Sequence, residues 1–173
     1  MAKLDIHRDD IAALLEPHYI ERGAWDSLHR LLELKLSSTE DEIDRLELFK
    51  RLADINLSQL DRRLDGSHWI SQAFCADPED DELLSQLEQL TGELGDCEAF
   101  KDTLLSVAAG LEGGERKITL WHKAASLLEY QLLEKTHAEQ IYRLVLNELP
   151  DDLTALQALD RLYLAGERFE ELE

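Results

Sequence analysis

Leucine-rich segments recur along this chain at a fixed interval, and no other feature restricts its fold so strongly. "DIAALLEPHYIERGAWDSL" begins at Asp10, "DELLSQLEQLTGELGDCEAF" at Asp81 and "DLTALQALDRLYLAGERFEEL" at Asp152, an interval of 71 residues both times. Each runs through a leucine-rich stretch to a glycine, then an aromatic residue or a substitute opens a second stretch. "LFKRLADINLSQL" and "LWHKAASLLEYQL" lie between them, matched at Ala53 and Ala124 with the same interval. Within the segments the apolar spacing is helical. Leu83, Leu87, Leu90 and Leu94 share one face, as do Ile43, Leu46, Phe49, Leu52, Ala53 and Leu57. No long stretch alternates as a half-buried strand would. The repeating unit is therefore two helical hairpins, and such an array buries each hairpin's apolar face on its neighbours.

The pattern predicts helices over 8–22, 25–37, 40–62, 67–76, 79–94, 97–111, 115–134, 136–148 and 151–165, with another from 168 onward. Short connections make consecutive helices antiparallel. Thr39 and Glu42 form a capping box, and Asp77-Pro78 places a cap before a proline at the first helical position. Pro17 cannot donate to the carbonyl of Ala13, so the first helix is expected to kink or restart there. The expected fold is all-α: an α-α superhelix, or solenoid, of about five antiparallel hairpins forming one array over 1–173. Sparse Gly (8) and Pro (3) agree with helices, and 44% hydrophobic residues suffice for a core. No apolar run reaches the roughly 18 residues of a membrane span. Charges interrupt "MAKLDIHRDD" too early for a signal peptide, and the expected location is cytoplasmic.

Net charge is −20. Between Leu64 and Phe100 there is no Lys or Arg, while Asp65, Asp77, Glu79, Asp80, Asp81, Glu82, Glu88, Glu93, Asp96 and Glu98 fall in that window. Nucleic acid and anionic membranes need clustered cations and are disfavoured as ligands. The acids read as a solvated surface, or as a patch that attracts a basic or amphipathic protein segment.

Residues that could carry chemistry are few. His18 and Glu21 share a helical face and His29 follows, but Arg22 stands beside them and no third ligand falls at a recognised interval. His7, His68, His122 and His137 sit singly. "GLEGGERK", Gly110 to Lys117, lacks the Gly-Lys-Ser/Thr of a phosphate loop and reads as a connector. Cys75 and Cys97 form no C-x-x-C pair and read as idle thiols. Trp25, Trp69 and Trp121 could anchor a ligand, but all three open helices among apolar neighbours and read as packing between hairpins. No catalytic, metal or cofactor residue is assigned, no cofactor is expected, and the partner-binding residues are left unassigned.

Ala138-x3-Tyr142-x2-Val145-x4-Pro150 resembles the second-helix half of the tetratricopeptide signature, followed by Leu156, Leu159, Asp160 and Tyr163, with Phe169 where an aromatic belongs. Gly66-x3-Ile70-x2-Ala73-x4-Pro78 keeps the same spacing, followed by Leu84 and Leu87. Glu88 and Asp160 depart from the family's glycine, and the 40–62 and 115–134 helices are longer than its usual ones. Trp121, Glu129 and Tyr142 are also similar to the half-a-tetratricopeptide repeats of RNA-processing scaffolds. The resemblance implies a non-catalytic scaffold that holds a partner peptide or helix in a groove. The alternative is a structural spacer or self-assembly module in a larger protein. By this count Gly166 and Phe169 fall inside a fifth hairpin. The expectation is then a segment of a longer repeat protein, or self-association through an end where Leu159, Leu162 and Tyr163 are poorly covered.

Overall fold

The computed structural model describes residues 2–165, with side chains from residue 12 onward. Among these residues the chain is all-α: α1 (Ala2–Glu21), α2 (Trp25–Ser38), α3 (Glu42–Asp54), α4 (Arg63–Ala76), α5 (Asp81–Leu94), α6 (Cys97–Gly110), α7 (Glu115–Tyr130), α8 (Lys135–Glu148) and α9 (Leu153–Ala165). One π-helical turn, Ile55–Gln59, follows α3 directly. The predicted second helix of a fifth hairpin, with Gly166 and Phe169, lies outside the described residues.

The chain divides into two compact units between Leu90 and Thr91, within α5. In the first, α1 packs on α2, α2 on α3 and α3 on α4. In the second, α6 packs on α7, α7 on α8 and α8 on α9. Each of these helices leans chiefly on its neighbours in sequence, which is how hairpins stack in an α-solenoid. The apolar stripes explain this order. α2 buries Leu28, Leu32 and Leu36, and α8 buries Ala138, Tyr142 and Val145, spacings of three and four that line one side of a helix. Phe74, Leu32 and Leu52 are fully covered in the first unit, as are Leu104, Leu120 and Val145 in the second. Each such Leu or Phe contributes about 1.5–3 kcal/mol by leaving water. Ala73, Ala124, Ala125, Ala138 and Ala155 have no exposed surface, and their small side chains let helices approach closely.

The repeat is visible in the contacts, but at 72 residues instead of 71. Lys50 of α3 bonds Asp80 at 2.8 Å, and His122 of α7 meets Asp152 at 3.1 Å. Asp80 accepts from the Leu83 amide at 3.1 Å, and Asp152 from the Ala155 amide at 2.7 Å. In each copy an aspartate caps the incoming helix (α5 or α9) while a basic residue two helices earlier ties it down. Ala53 is thus matched by Ala125, not by Ala124.

Several helix ends differ from expectation. α3 does not continue to residue 62. The Asn56 amide donates to the Leu52 carbonyl at 2.7 Å and Ser58 Oγ to the Asp54 carbonyl at 2.6 Å, competing with the backbone ladder. The helix widens into the π turn, where the Leu60 amide bonds the Ile55 carbonyl at 3.0 Å, and closes at Asp61 with φ 53°. α7 likewise stops at Tyr130 and closes at Leu133 with φ 60°. The two turns match at 72 residues: Arg62 N–H reaches the Asn56 carbonyl at 2.8 Å, and Glu134 N–H reaches the Leu128 carbonyl at 2.7 Å.

The capping residues also shift. Thr39 donates back to the Lys35 carbonyl at 2.8 Å and so closes α2, while Asp41 caps α3 by accepting from Ile43 and Asp44. Asp80, not Asp77, caps α5, and Pro78 lies in the preceding turn. α1 runs through Pro17 without restarting; Ala13 and Pro17 are both exposed, so the carbonyl that loses its donor is open to water. Leu159, Leu162 and Tyr163, expected to be poorly covered, are buried.

Candidate functional site

Among the described residues of the first unit, two clefts flank α3, one on each side. The larger, about 420 Å³, lies between α3, the π turn, α4 and the start of α5. Ala53, Leu57, Ile70, Ala73 and Leu83 give it an apolar floor, and Lys50, Asp54, Asp80, Glu82 and Gln86 line it with polar groups. The other, about 360 Å³, lies between α1, α2 and α3, with Ile20, Trp25, Leu28 and Ile55 beside Glu47, Lys50, Arg51 and Asp54. Lys50 and Asp54 line both, because residues 47, 50 and 54 share the exposed face of α3 at helical spacing. The π turn shapes the larger cleft by laying Leu57 over Gly66. A Cβ on Gly66 would come within 2.4 Å of Leu57 Cδ2 and 2.6 Å of its Cγ, so glycine is what admits the leucine. π turns inside helical arrays occur often at functional sites.

The cations of these clefts are already paired. Lys50 holds Asp80, and Arg51 holds Glu16 of α1. The hydrogen bond from Lys50, together with the Leu83 amide, keeps the Asp80 carboxyl below its ordinary range against a small opposing effect of burial. Glu47 and Asp54 meet no cation among the described residues, and Glu82 accepts only from the Gln86 amide, at 3.2 Å. The rim is therefore net negative over an apolar floor.

A second polar constellation sits in the other unit. Glu129 of α7 is 6% exposed and receives both arms of the Arg161 guanidinium, at 2.9 and 2.8 Å, and the Tyr142 hydroxyl at 3.2 Å. Burial works against the Glu129 charge, but the Arg161 hydrogen bonds and charge outweigh it and hold the carboxyl below its ordinary value. Burial, with the Glu129 charge beside it, pushes the Tyr142 phenol well up. Every strong polar group there is satisfied within the protein, so the cluster fastens α7, α8 and α9 and offers no open valence. The matching position in the first unit is Leu57.

The residues singled out by sequence do not converge. His18 and Glu21 are exposed, His18 with its ring 6.3 Å from Tyr19, and His29 is buried with Nδ1 3.4 Å from Glu33. His68 stands edge-on to Trp69, His137 pairs with Glu134, and the side chain of His7 lies outside those described. No three His, Cys, Asp or Glu side chains are placed to hold a metal among the described residues. The Gly110–Lys117 segment connects α6 to α7, and Lys117 crosses it to the Leu111 carbonyl at 3.1 Å. Cys75 is exposed and Cys97 donates to Gln131. Trp121 is buried and Trp69 stacks on Phe49, 6.1 Å between centroids, as packing residues do. Trp25 lines a cleft instead. Glu47, Lys50 and Asp54 were not distinguishable as site residues from sequence; the one available signal was their spacing on the polar side of α3.

No family model matches the chain, and no curated protein matches it. Solved structures similar to it include a crystal structure of MamA protein, 14% identical, TM-score 0.48, covering 95% of this chain and 86% of that one. A MamA structure from AMB-1 is 15% identical, TM-score 0.48, with 97% and 87% covered. BtubC (BKLC) from P. vanneervenii is 14% identical, TM-score 0.48, with 93% and 74% covered. No helix among the described residues is long and apolar enough to cross a membrane.

Proposed function

We propose that this chain is a non-catalytic scaffold that binds a partner protein through the clefts beside α3. The observation that carries the reading is the pair of adjoining clefts, apolar at the floor and charged at the rim, that stacked hairpins leave open on both sides of one helix. Supporting it, the polar groups described here are arranged to fasten helices and not to move protons or hold a reacting atom. The resemblance to tetratricopeptide repeats points the same way, and the cytoplasm is the compartment the reading assigns. The test is affinity capture with the intact protein, followed by calorimetric titration of each captured protein in purified form. Saturable binding at fixed stoichiometry supports the scaffold. Absence of any partner that rebinds after purification would overturn it.

Self-assembly is the second reading. Leu153, Leu156 and Leu164 of α9 are 70, 44 and 49% exposed and fall on one side of the helix, an apolar stripe open to water. Sedimentation equilibrium decides between them: a concentration-dependent oligomer favours assembly, and a monomer across the accessible range excludes it.

A further inference from the structure

We propose that the occupant of the α3 clefts is a basic segment with an apolar face, its cations meeting Glu47, Asp54 and Glu82 and its apolar side chains meeting Ala53, Leu57 and Leu83. This rests on the scaffold reading above and adds the chemistry of the partner. The sign of the charge follows from which groups are already paired. Lys50 and Arg51, the cations lining the clefts, are held by Asp80 and Glu16. An acidic partner would have to take them from those partners and lie against carboxylates on both sides of α3. A basic partner finds Glu47 and Asp54 with no cation among the described residues, and Glu82 held only by a neutral amide. Asp54 lines both clefts, so it serves a segment lying in either or crossing between them. The apolar floor adds what charge alone does not supply. A purely polycationic chain would leave the half-buried Leu57 facing water, whereas the apolar face of an amphipathic segment covers it.

The probe is a fluorescein-labelled peptide of Arg and Leu in amphipathic helical order, with a Glu-for-Arg counterpart, titrated by anisotropy against the intact protein. The Arg/Leu peptide is expected to bind and the Glu/Leu peptide to fail. Asp54→Asn, at an exposed position with no side-chain partner among the described residues, should weaken binding about tenfold, as loss of one charge-assisted contact does. Glu112→Gln, on the α6–α7 connection, removes the same charge elsewhere and should change affinity less than twofold. Lys50→Ala frees Asp80 and should tighten binding, a gain that structural damage does not produce. Circular dichroism checks that each variant keeps its helices.

Equal losses from Asp54→Asn and Glu112→Gln would show attraction to bulk charge and overturn the charge pairing inferred at the clefts, while saturable rebinding of a captured protein would still support a scaffold. Preference for the Glu/Leu peptide would overturn the sign of the partner, again without touching that reading. If neither peptide binds while a captured protein does, the inference fails alone; if no protein rebinds either, both fail.

Discussion

Removing Arg161 from the Glu129 cluster tests whether that cluster fastens the second unit. Arg161→Ala leaves a carboxylate that is 6% exposed with hydrogen bonds from the Tyr130 and Tyr142 side chains and no cation. Stripping the partner from a fully buried charge costs about 3–5 kcal/mol. The Arg161 side chain is 49% exposed, so water follows into the gap and about 2–3 kcal/mol is the expected loss. At about 2–4 °C per kcal/mol for a chain of this size, Tm falls by roughly 5–10 °C. Glu129→Leu should be milder. It copies Leu57 from the matching position, removes the buried charge, and forfeits mainly the hydrogen bonds to Tyr130 and Tyr142, about 1 kcal/mol. The double variant, Glu129→Leu with Arg161→Ala, should then be more stable than Arg161→Ala alone by about 1–2 kcal/mol. Urea denaturation followed by circular dichroism measures all three. Simple addition of the two single losses in the double variant would refute the reasoning, because it would mean that the carboxylate does not depend on its partner.

Gly66→Ala should destabilise by about 1–3 kcal/mol, because displacing Leu57 outweighs the roughly 1 kcal/mol a helix gains from alanine; a Tm at or above the parent's would contradict the close approach. Asp80→Ala and Asp152→Ala each remove a helix cap and its tie, and each should cost about 1–2 kcal/mol by the same denaturation assay. Asp80, Asp152 and Glu129 are held below their ordinary values of 3.8, 3.8 and 4.5, so once unfolded they bind protons more readily. Their contribution is therefore complete above those ordinary values and disappears as pH falls below them. Stability measured in urea should decline below about pH 4.5, and Glu129→Leu should flatten part of that decline.

Helix type and hairpin order were legible because they depend on spacing along one chain. Leu28, Leu32 and Leu36 announce a stripe wherever they occur, and short connections leave few ways to pack consecutive stripes. The helix ends were harder, since neighbouring candidates compete for one set of amides. Thr39 and Asp41 can each cap α3, and Thr39 instead turns back to Lys35. The break after Asp54 depends on Asn56 and Ser58 choosing backbone carbonyls, a choice apolar periodicity does not encode. Site residues were hardest of all. Glu47, Lys50 and Asp54 look like any solvated face until the ion pairs to Glu16 and Asp80 show which charges are left over. Glu129 was singled out only through its likeness to half-a-tetratricopeptide repeats; comparing repeats at 72 residues, where a leucine in one unit becomes a carboxylate in the other, would have marked it as a buried charge.

Amide hydrogen exchange on the intact protein, with and without saturating Arg/Leu peptide, tests the central claim most directly. The account predicts slower exchange over residues 47–57 and 80–86, with 115–130 unchanged. Slowing confined to α6–α9, or no slowing anywhere at saturation, would contradict it.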